Sequence, residues 1–345
     1  MAALDDRLLN EFQRDFPLTS RPYAEIAARL GTDEGAVLAT LGELVAGGKV
    51  SRIGATFVPG RIGAATLAAL SVPQGRLQQL AELVSSFPGV NHNYEREHHF
   101  NLWFVITGPD ESQVDAVVRD IERAARCGRV LSLPLVEPYH LDLGFDLDRA
   151  GSETAPAREA GARRKTQGRN GNLHPASFIL HPSEHALVSA LQEGLPLTSA
   201  PYAELALRAG TTEATVIATL KRWLDARVIN RLGVIVRHHE LGYHANAMVV
   251  WDVPNADVRA VGRRVAAAPF VTLCYRRLRH LPDWRYNLYC MIHGKDRSQV
   301  LAQITELRAN CNLVRYPFEI LFSRQRFKQR GARYVPAAAA AVTHG

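Results

Sequence analysis

The chain is 345 residues long and 47% apolar, with a formal net charge of +7 and four cysteines. That length allows two or three domains with cores of their own. No stretch approaches the roughly 20 apolar residues of a bilayer span, and Met1-Ala2-Ala3-Leu4-Asp5-Asp6 lacks the basic start and apolar core of a secretion signal, so we expect a soluble, cytoplasmic protein with no membrane partner. Cys127, Cys274, Cys290 and Cys311 form no C-x-x-C pair and read as buried free thiols of a reducing compartment, which argues against a metal site. The positive balance suits a polyanion, nucleic acid or polycarboxylate. Part of it lies around Arg163-Arg164-Lys165 and in a basic tail, Arg324-Gln325-Arg326-Phe327-Lys328-Gln329-Arg330.

The first predicted element is a helix over Leu4 to Phe16. It leads into Pro17-Leu18-Thr19-Ser20-Arg21-Pro22-Tyr23-Ala24-Glu25, which returns as Pro196-Leu197-Thr198-Ser199-Ala200-Pro201-Tyr202-Ala203-Glu204. The offset is kept through Arg52/Arg231, Gly54/Gly233 and Gly63/Gly242, so the chain is a duplicated module that carries both halves of its own pseudo-dimer. A second helix opens with Pro22 (Pro201 in the repeat) in its first turn, where a missing N–H costs nothing. A third follows Thr32 or Thr211 as N-cap. The Leu-Gly-Thr or Ala-Gly-Thr turn between them marks a helix-turn-helix, and Val50-Ser51-Arg52-Ile53-Gly54 reads as a wing strand.

The remainder of the first half alternates as strand (about 64–73), helix (75–87), strands (90–96 and 100–107), helix (111–126) and strand (129–137). The second half repeats this over His244 to Val253, Asp257 to Ala268, Val271 to Arg277, Tyr286 to His293, Arg297 to Asn312 and Leu313 to Phe322. The order β-α-β-β-α-β is ferredoxin-like. The predicted fold class is therefore α+β: two tandem repeats, each a winged helix-turn-helix (1–60 and 178–239) followed by a ferredoxin-like domain (61–148 and 240–330). A flexible linker at 149–177 joins them and a disordered tail at 331–345 closes the chain.

This layout resembles the Lrp/AsnC transcription regulators, which makes a ligand-sensing regulator the alternative reading. A DNA-reading helix needs Arg, Lys, Asn or Gln on its exposed face. The first candidate, residues 33–44, carries Asp33, Glu34 and Glu43 and no base, and the second has Lys221 and Arg222 against Glu213 and Asp225. Such helices would be repelled by phosphates, so DNA is an unlikely partner and the motif reads as a packing scaffold.

Polar residues concentrate instead on the ferredoxin-like strands. Alternation places His92, Tyr94 and Arg96 on one face as an ordered donor row. The first half, through Asn91-His92-Asn93-Tyr94, Arg96-Glu97-His98 and Phe100-Asn101-Leu102-Trp103-Phe104, resembles the D-type siroheme decarboxylases; the second resembles the L-type through Arg237-His238, Asn246-Ala247-Met248-Val249-Val250-Trp251, Leu273-Cys274-Tyr275-Arg276-Arg277 and Tyr286-Asn287-Leu288. The chain is similar to a fused D–L form of that family. The resemblance implies loss of two acetate carboxylates from siroheme, as carbon dioxide, to give 12,18-didecarboxysiroheme in heme d1 biosynthesis. It also implies a redox-neutral carboxy-lyase with no cofactor beyond the iron-containing substrate, an intramolecular D–L pseudo-dimer and a possible further homodimer.

On that resemblance His92 and His98 are the candidate proton donors, oriented by Tyr94 and Arg96, because imidazole titrates near working pH. Arg237, His238, Asn246, Tyr275, Arg276, Arg277, Asn101 and Asn287 are expected to bind substrate, the arginines as forks for carboxylates. Trp103, Tyr275, Trp284 and Tyr286 are expected to supply flat walls for the macrocycle. Trp103 reads equally well as core, and Arg52 and Arg231 suit a structural salt bridge equally well as substrate contact. Leu273 stands where the first half has His92, so the two half-sites differ chemically.

Overall fold

A computed structural model describes residues 3–141, 178, 180–237 and 243–335. The linker expected at 149–177, the last part of the expected tail and the candidate His238 lie outside the described residues. Among the described residues no helix is long and apolar enough to cross a membrane, and no group of three or more His, Cys, Asp or Glu is placed to hold a metal ion.

The first half opens with α1 (Leu4–Glu11), α2 (Pro22–Leu30), α3 (Glu34–Ala46) and the wing strand β1 (Val50–Phe57), and the second with α6 (Pro182–Glu193), α7 (Pro201–Ala209), α8 (Glu213–Asp225) and β6 (Ile229–Val236). Helix α1 stops short of Phe16 because residues 12–16 run along the other half's wing instead: Val234 N–H donates to the Phe12 carbonyl at 2.8 Å and Phe16 N–H to that of Leu232 at 3.4 Å. An added Cβ at Gly233 would lie 2.4 Å from the Phe12 carbonyl oxygen, so only glycine permits this approach. The third helices are capped one residue later than expected, by Asp33 and Thr212. Thr32 and Thr211 are used otherwise. Gly31 and Gly210 end α2 and α7 with positive φ, and the following threonine N–H bonds back to Ala27 O (3.0 Å) or Ala206 O (2.9 Å).

Both helix-turn-helix units share one apolar core that spans Leu8, Tyr23 and Leu41 of the first half and Leu191, Tyr202 and Trp223 of the second. The repeated Pro-Leu-Thr-Ser-x-Pro-Tyr sequence explains itself here. Tyr23 Oη donates to Pro196 O (3.1 Å) and Tyr202 Oη to Pro17 O (2.7 Å), so each half's tyrosine satisfies the other half's loop. Strands β1 and β6 pair antiparallel across Gly54 and Gly233.

The ferredoxin-like parts are β2 (Ala64–Leu70), α4 (Leu77–Ser86), β3 (Val90–Arg96), β4 (Leu102–Gly108), α5 (Glu111–Ala125) and β5 (Leu131–Leu141), then β7 (Ala245–Trp251), α9 (Val258–Ala266), β8 (Val271–Arg277), β9 (Leu288–Gly294), α10 (Arg297–Asn310) and β10 (Phe318–Gln329). Their sheets close on each other as an eight-stranded barrel, β10-β3-β4-β2-β5-β8-β9-β7. Closure depends on the two fourth strands, which are longer than expected. The start of β5 pairs with β2 and its end with β8, while β10 pairs first with β7 and then, from Ser323 to Gln329, with β3. The helices cover the outside, and the interior is filled by Leu67, Trp103, Leu133, Met248, Tyr275, Trp284, Tyr289 and Leu321.

The basic run 324–330 is thus barrel strand and its continuation rather than tail. Its charge stitches the halves together: Arg324 meets Glu97 (3.4 Å) and Glu95 (3.8 Å), and Lys328 Nζ donates to Phe87 O (3.3 Å). Nor does disorder begin at 331. Tyr334 is 4% exposed inside the helix-turn-helix core, its N–H bonded to Gln192 Oε1 (2.6 Å), and Arg333 pairs with Glu193 (2.6 Å). Truncation after Phe327 removes the β10–β3 register pairs at Lys328 and Gln329 together with the buried Tyr334, and should cost at least the roughly 3–5 kcal/mol of one large core aromatic by urea melt.

Candidate active site

Tyr94 pairs with Trp103 and His92 with Val105, so alternation turns His92, Tyr94 and Arg96 toward the barrel interior that Trp103 and Val105 occupy. The imidazole of His92 stacks parallel to Tyr94 (6.3 Å, 13°), and the Arg96 guanidinium lies over the other side of that row, 5.8 Å from the Tyr94 ring centre. Arg96 is 7% exposed, and its Nη1 donates to the Leu321 carbonyl of β10 at 2.9 Å. No carboxylate among the described residues pairs with it.

From Arg96 a polar row crosses the wall of the barrel. Ser323 of β10 is its register partner, Ser323 Oγ lies 3.4 Å from Asn246 Oδ1 on β7, and Asn246 Nδ2 lies 3.0 Å from His293 Nε2 on β9. Thr272 Oγ1 is 3.0 Å from His293 Nδ1 and donates to Met291 O (3.1 Å). That set is self-consistent with a neutral His293: Nε2 accepts from the amide and Nδ1–H donates to the hydroxyl.

The duplication offers an internal control. Tyr275 and Arg277 on β8 are the equivalents of Tyr94 and Arg96, with Arg277 4.6 Å over the Tyr275 ring and its Nη1 donating to Leu133 O of β5 (2.5 Å). Beyond that shared pair the second row holds no imidazole. Leu135, Ala65 and Thr107 occupy the register positions of Ser323, Asn246 and His293, and Leu273 that of His92.

Electrostatics follows the same division. Burial, then the nearby positive charge, holds the His92 imidazole down to about 4, the charge being that of Arg52; His293 is held at about 4 by burial and Arg96. Arg96 itself is lowered to about 10 by burial, against the opposing pull of Tyr275 and Tyr94. Both imidazoles are neutral at pH 7. Because the unfolded chain binds these protons more readily, the stability involved is complete above about pH 6.5 and is lost as pH falls toward 4. Acidification from pH 7 to 5 should cost roughly 2 kcal/mol per histidine in urea melts, and His92→Gln or His293→Gln should each flatten that slope.

Other expected site residues are placed elsewhere. Arg96 lies about 13 Å along β3 from His92, and His98 sits beyond it, its Nδ1 accepting Phe100 N–H (2.9 Å) and its ring edge-on to Trp284 (5.3 Å). Trp103 and Trp284, each 1% exposed, touch edge to face (5.1 Å) and donate to Phe100 O and Tyr289 Oη, both at 2.6 Å. Both sit in the apolar interior of the barrel, and Tyr286 packs on Trp284 with its hydroxyl on Glu319 (3.4 Å). Asn101 and Asn287 are loop staples: each amide both donates to and accepts from one backbone residue, Val72 and Val253 respectively. Arg276 faces outward to Asn255 (3.2 Å). Arg237 lies by Gly48 and Lys49 at the end of the wing pair, away from the Arg96 row.

One member of the row, His293, was missed from sequence, whereas substrate contact was one of two readings open for Arg52. His293 stands at the end of an otherwise apolar strand, and only its register with Asn246 marks it. Arg52 comes from the wing.

Fold and polar row together define a class: a fused pseudo-dimer of Lrp/AsnC-type modules whose closed barrel carries a buried arginine and an imidazole row drawn from both halves. The family model for the AsnC-like ligand binding domain matches residues 61–140 and 240–328, and that for the siroheme decarboxylase NirDL-like HTH domain matches 5–50 and 184–229. The siroheme decarboxylase NirDL subunit of Paracoccus denitrificans (strain Pd 1222) is 44% identical over 341 residues, 98% of this chain and 99% of that protein. The crystal structure of the siroheme decarboxylase NirDL superposes with a TM-score of 0.67 at 29% identity over 96% of this chain and 94% of that one. Its co-complex with an iron-uroporphyrin III analogue gives 0.66 at 29% identity over 95% and 93%. The chain belongs to the siroheme decarboxylases, in their fused D–L form.

Proposed function

We propose that this chain is a cytoplasmic enzyme that removes two acetate carboxylates from siroheme to give 12,18-didecarboxysiroheme for heme d1 biosynthesis, and that it does so in the pocket of His92, Tyr94, Arg96, Asn246 and His293. Each step is R–CH₂–COO⁻ + H⁺ → R–CH₃ + CO₂. The conjugated macrocycle takes up the electron pair as the C–C bond breaks, the methylene carbon then receives a proton, and no electron donor or further cofactor enters the balance.

The observation that carries this reading is the buried Arg96, which has no carboxylate partner among the described residues and whose charge acts on the neutral His293 imidazole. An unpaired buried guanidinium costs several kcal/mol, a cost that a bound carboxylate offsets with charge-assisted hydrogen bonds. Arrival of a polycarboxylate also changes His92. Negative charge beside it opposes the field of Arg52 and raises its pKa, so the imidazole becomes protonated as the substrate that needs the proton arrives. Tyr275 and Tyr94 flank Arg96 and hold its orientation, while the apolar barrel core keeps bulk water from the bond that breaks.

Anaerobic titration with siroheme tests this. We expect an absorbance change that saturates at one equivalent per chain, followed by mass losses of two carbon dioxides. Absence of both, together with tight, steeply salt-dependent binding of a DNA fragment, would favour the regulator instead.

A further inference from the structure

The wing strands carry sequence-equivalent arginines that the fold uses differently. Arg231 is 5% exposed and points into the helix-turn-helix core, its Nη1 toward Gln13 O (3.5 Å). Arg52 turns the other way, to the barrel. Its Nη2 donates to Ala55 O (3.2 Å), and its Nε is buried with no partner. Its planar face lies on the backbone of Gly331, where an added Cβ would sit 2.6–2.7 Å from Nη1, Cζ and Nη2 alike.

The segment under that guanidinium also reaches His92. Gln329 is the register partner of His92, and Arg330 N–H donates to Asn91 O at 2.9 Å, so His92 and Arg52 flank the same turn of chain at the end of β10. Glu193, the acid whose charge acts on Arg52, is bonded by Arg333 (2.6 Å). Tyr334 anchors the segment in the helix-turn-helix core, which leaves Arg52 clamped beside the pocket with donor capacity to spare.

We propose that Arg52 is a substrate-binding residue that holds a propionate of siroheme next to the reacting acetate, so that the wing of the first helix-turn-helix unit forms a wall of the active site. This rests on the siroheme reading above. The choice of propionate follows from the reaction. A guanidinium on the departing carboxylate would stabilise the ground state more than the transition state, in which that charge has moved into the macrocycle, and would slow the reaction. On a permanent carboxylate of the same pyrrole ring its fork geometry adds binding without that penalty.

Arg52→Gln should raise the Kd for siroheme and for the didecarboxylated product by the same factor, about 10- to 100-fold, while kcat stays within about threefold. Arg52→Lys, which keeps the charge and loses the fork, should fall between, and Arg231→Lys should bind as wild type. Should Arg52→Gln fail to fold, the wild-type chain with ¹⁵N-labelled arginine serves: metal-free sirohydrochlorin should shift the Arg52 Nε–H resonance. Binding by Arg52→Gln within twofold of wild type, or an unmoved resonance under saturating sirohydrochlorin, overturns the proposal alone. Weakening for siroheme but not for the product overturns the propionate assignment, and failure of the wild-type chain to bind siroheme at all overturns the underlying reading as well.

Discussion

Replacing His92 with Ala is expected to slow both decarboxylations by about two to four orders of magnitude, the usual worth of one positioned general acid, and to weaken siroheme binding by much less, because the imidazole is neutral in the free chain and gains its charge only against the bound carboxylate. That both steps should suffer follows from the asymmetry of the barrel. The position equivalent to His92 is Leu273, and the positions equivalent to Ser323, Asn246 and His293 are Leu135, Ala65 and Thr107, so the row around Arg277 holds no imidazole among the described residues. The monodecarboxylated tetrapyrrole has to present its second acetate to the same imidazole. Product analysis by mass decides this: a His92→Ala chain that completes one step at the wild-type rate and stalls would mean a second, independent pocket, and full activity would remove His92 from the chemistry.

Replacing Arg96 with Met should separate folding from binding. The substitution keeps much of the volume and removes a buried cation that has no acid partner among the described residues, so the unliganded chain should lose no more than about 1 kcal/mol for the hydrogen bond to Leu321 O, and less if the relieved desolvation compensates. Siroheme affinity should fall by about 2–5 kcal/mol, the range for deleting one partner of a buried charge pair. Arg277→Met is the matched comparison. Its guanidinium makes the same contacts, to Tyr275 and Leu133 O, but in the row that holds no imidazole, and its effect on affinity should be several-fold smaller. Calorimetric titration of both variants checks the difference; equal losses would mean that the substrate spans the two half-sites symmetrically.

Much of this protein is determined locally and is therefore legible in its sequence. The duplication, the order of elements in each repeat, the inward alternation of His92, Tyr94 and Arg96, and the inequivalence at Leu273 all depend on spacing within a segment. The resemblance carried by those same segments pointed to the family to which the chain belongs. What spacing leaves open is which surfaces meet. A period of two says that His92 shares a face with Arg96; it does not say that the face looks into a barrel, that β10 leaves its own sheet at Ser323 to close it, or that Ser323, Asn246 and His293 thereby line up behind Arg96. The same closure turned a basic tail into a strand and placed Trp103 and Trp284 in the apolar interior of the barrel. It also brought Arg52 of the wing close enough to His92 for its charge to act on the imidazole. Local pattern sets the face of each strand, but register between strands distant in sequence is settled only when the two sheets bury their apolar faces against each other, and this pocket is assembled across that junction.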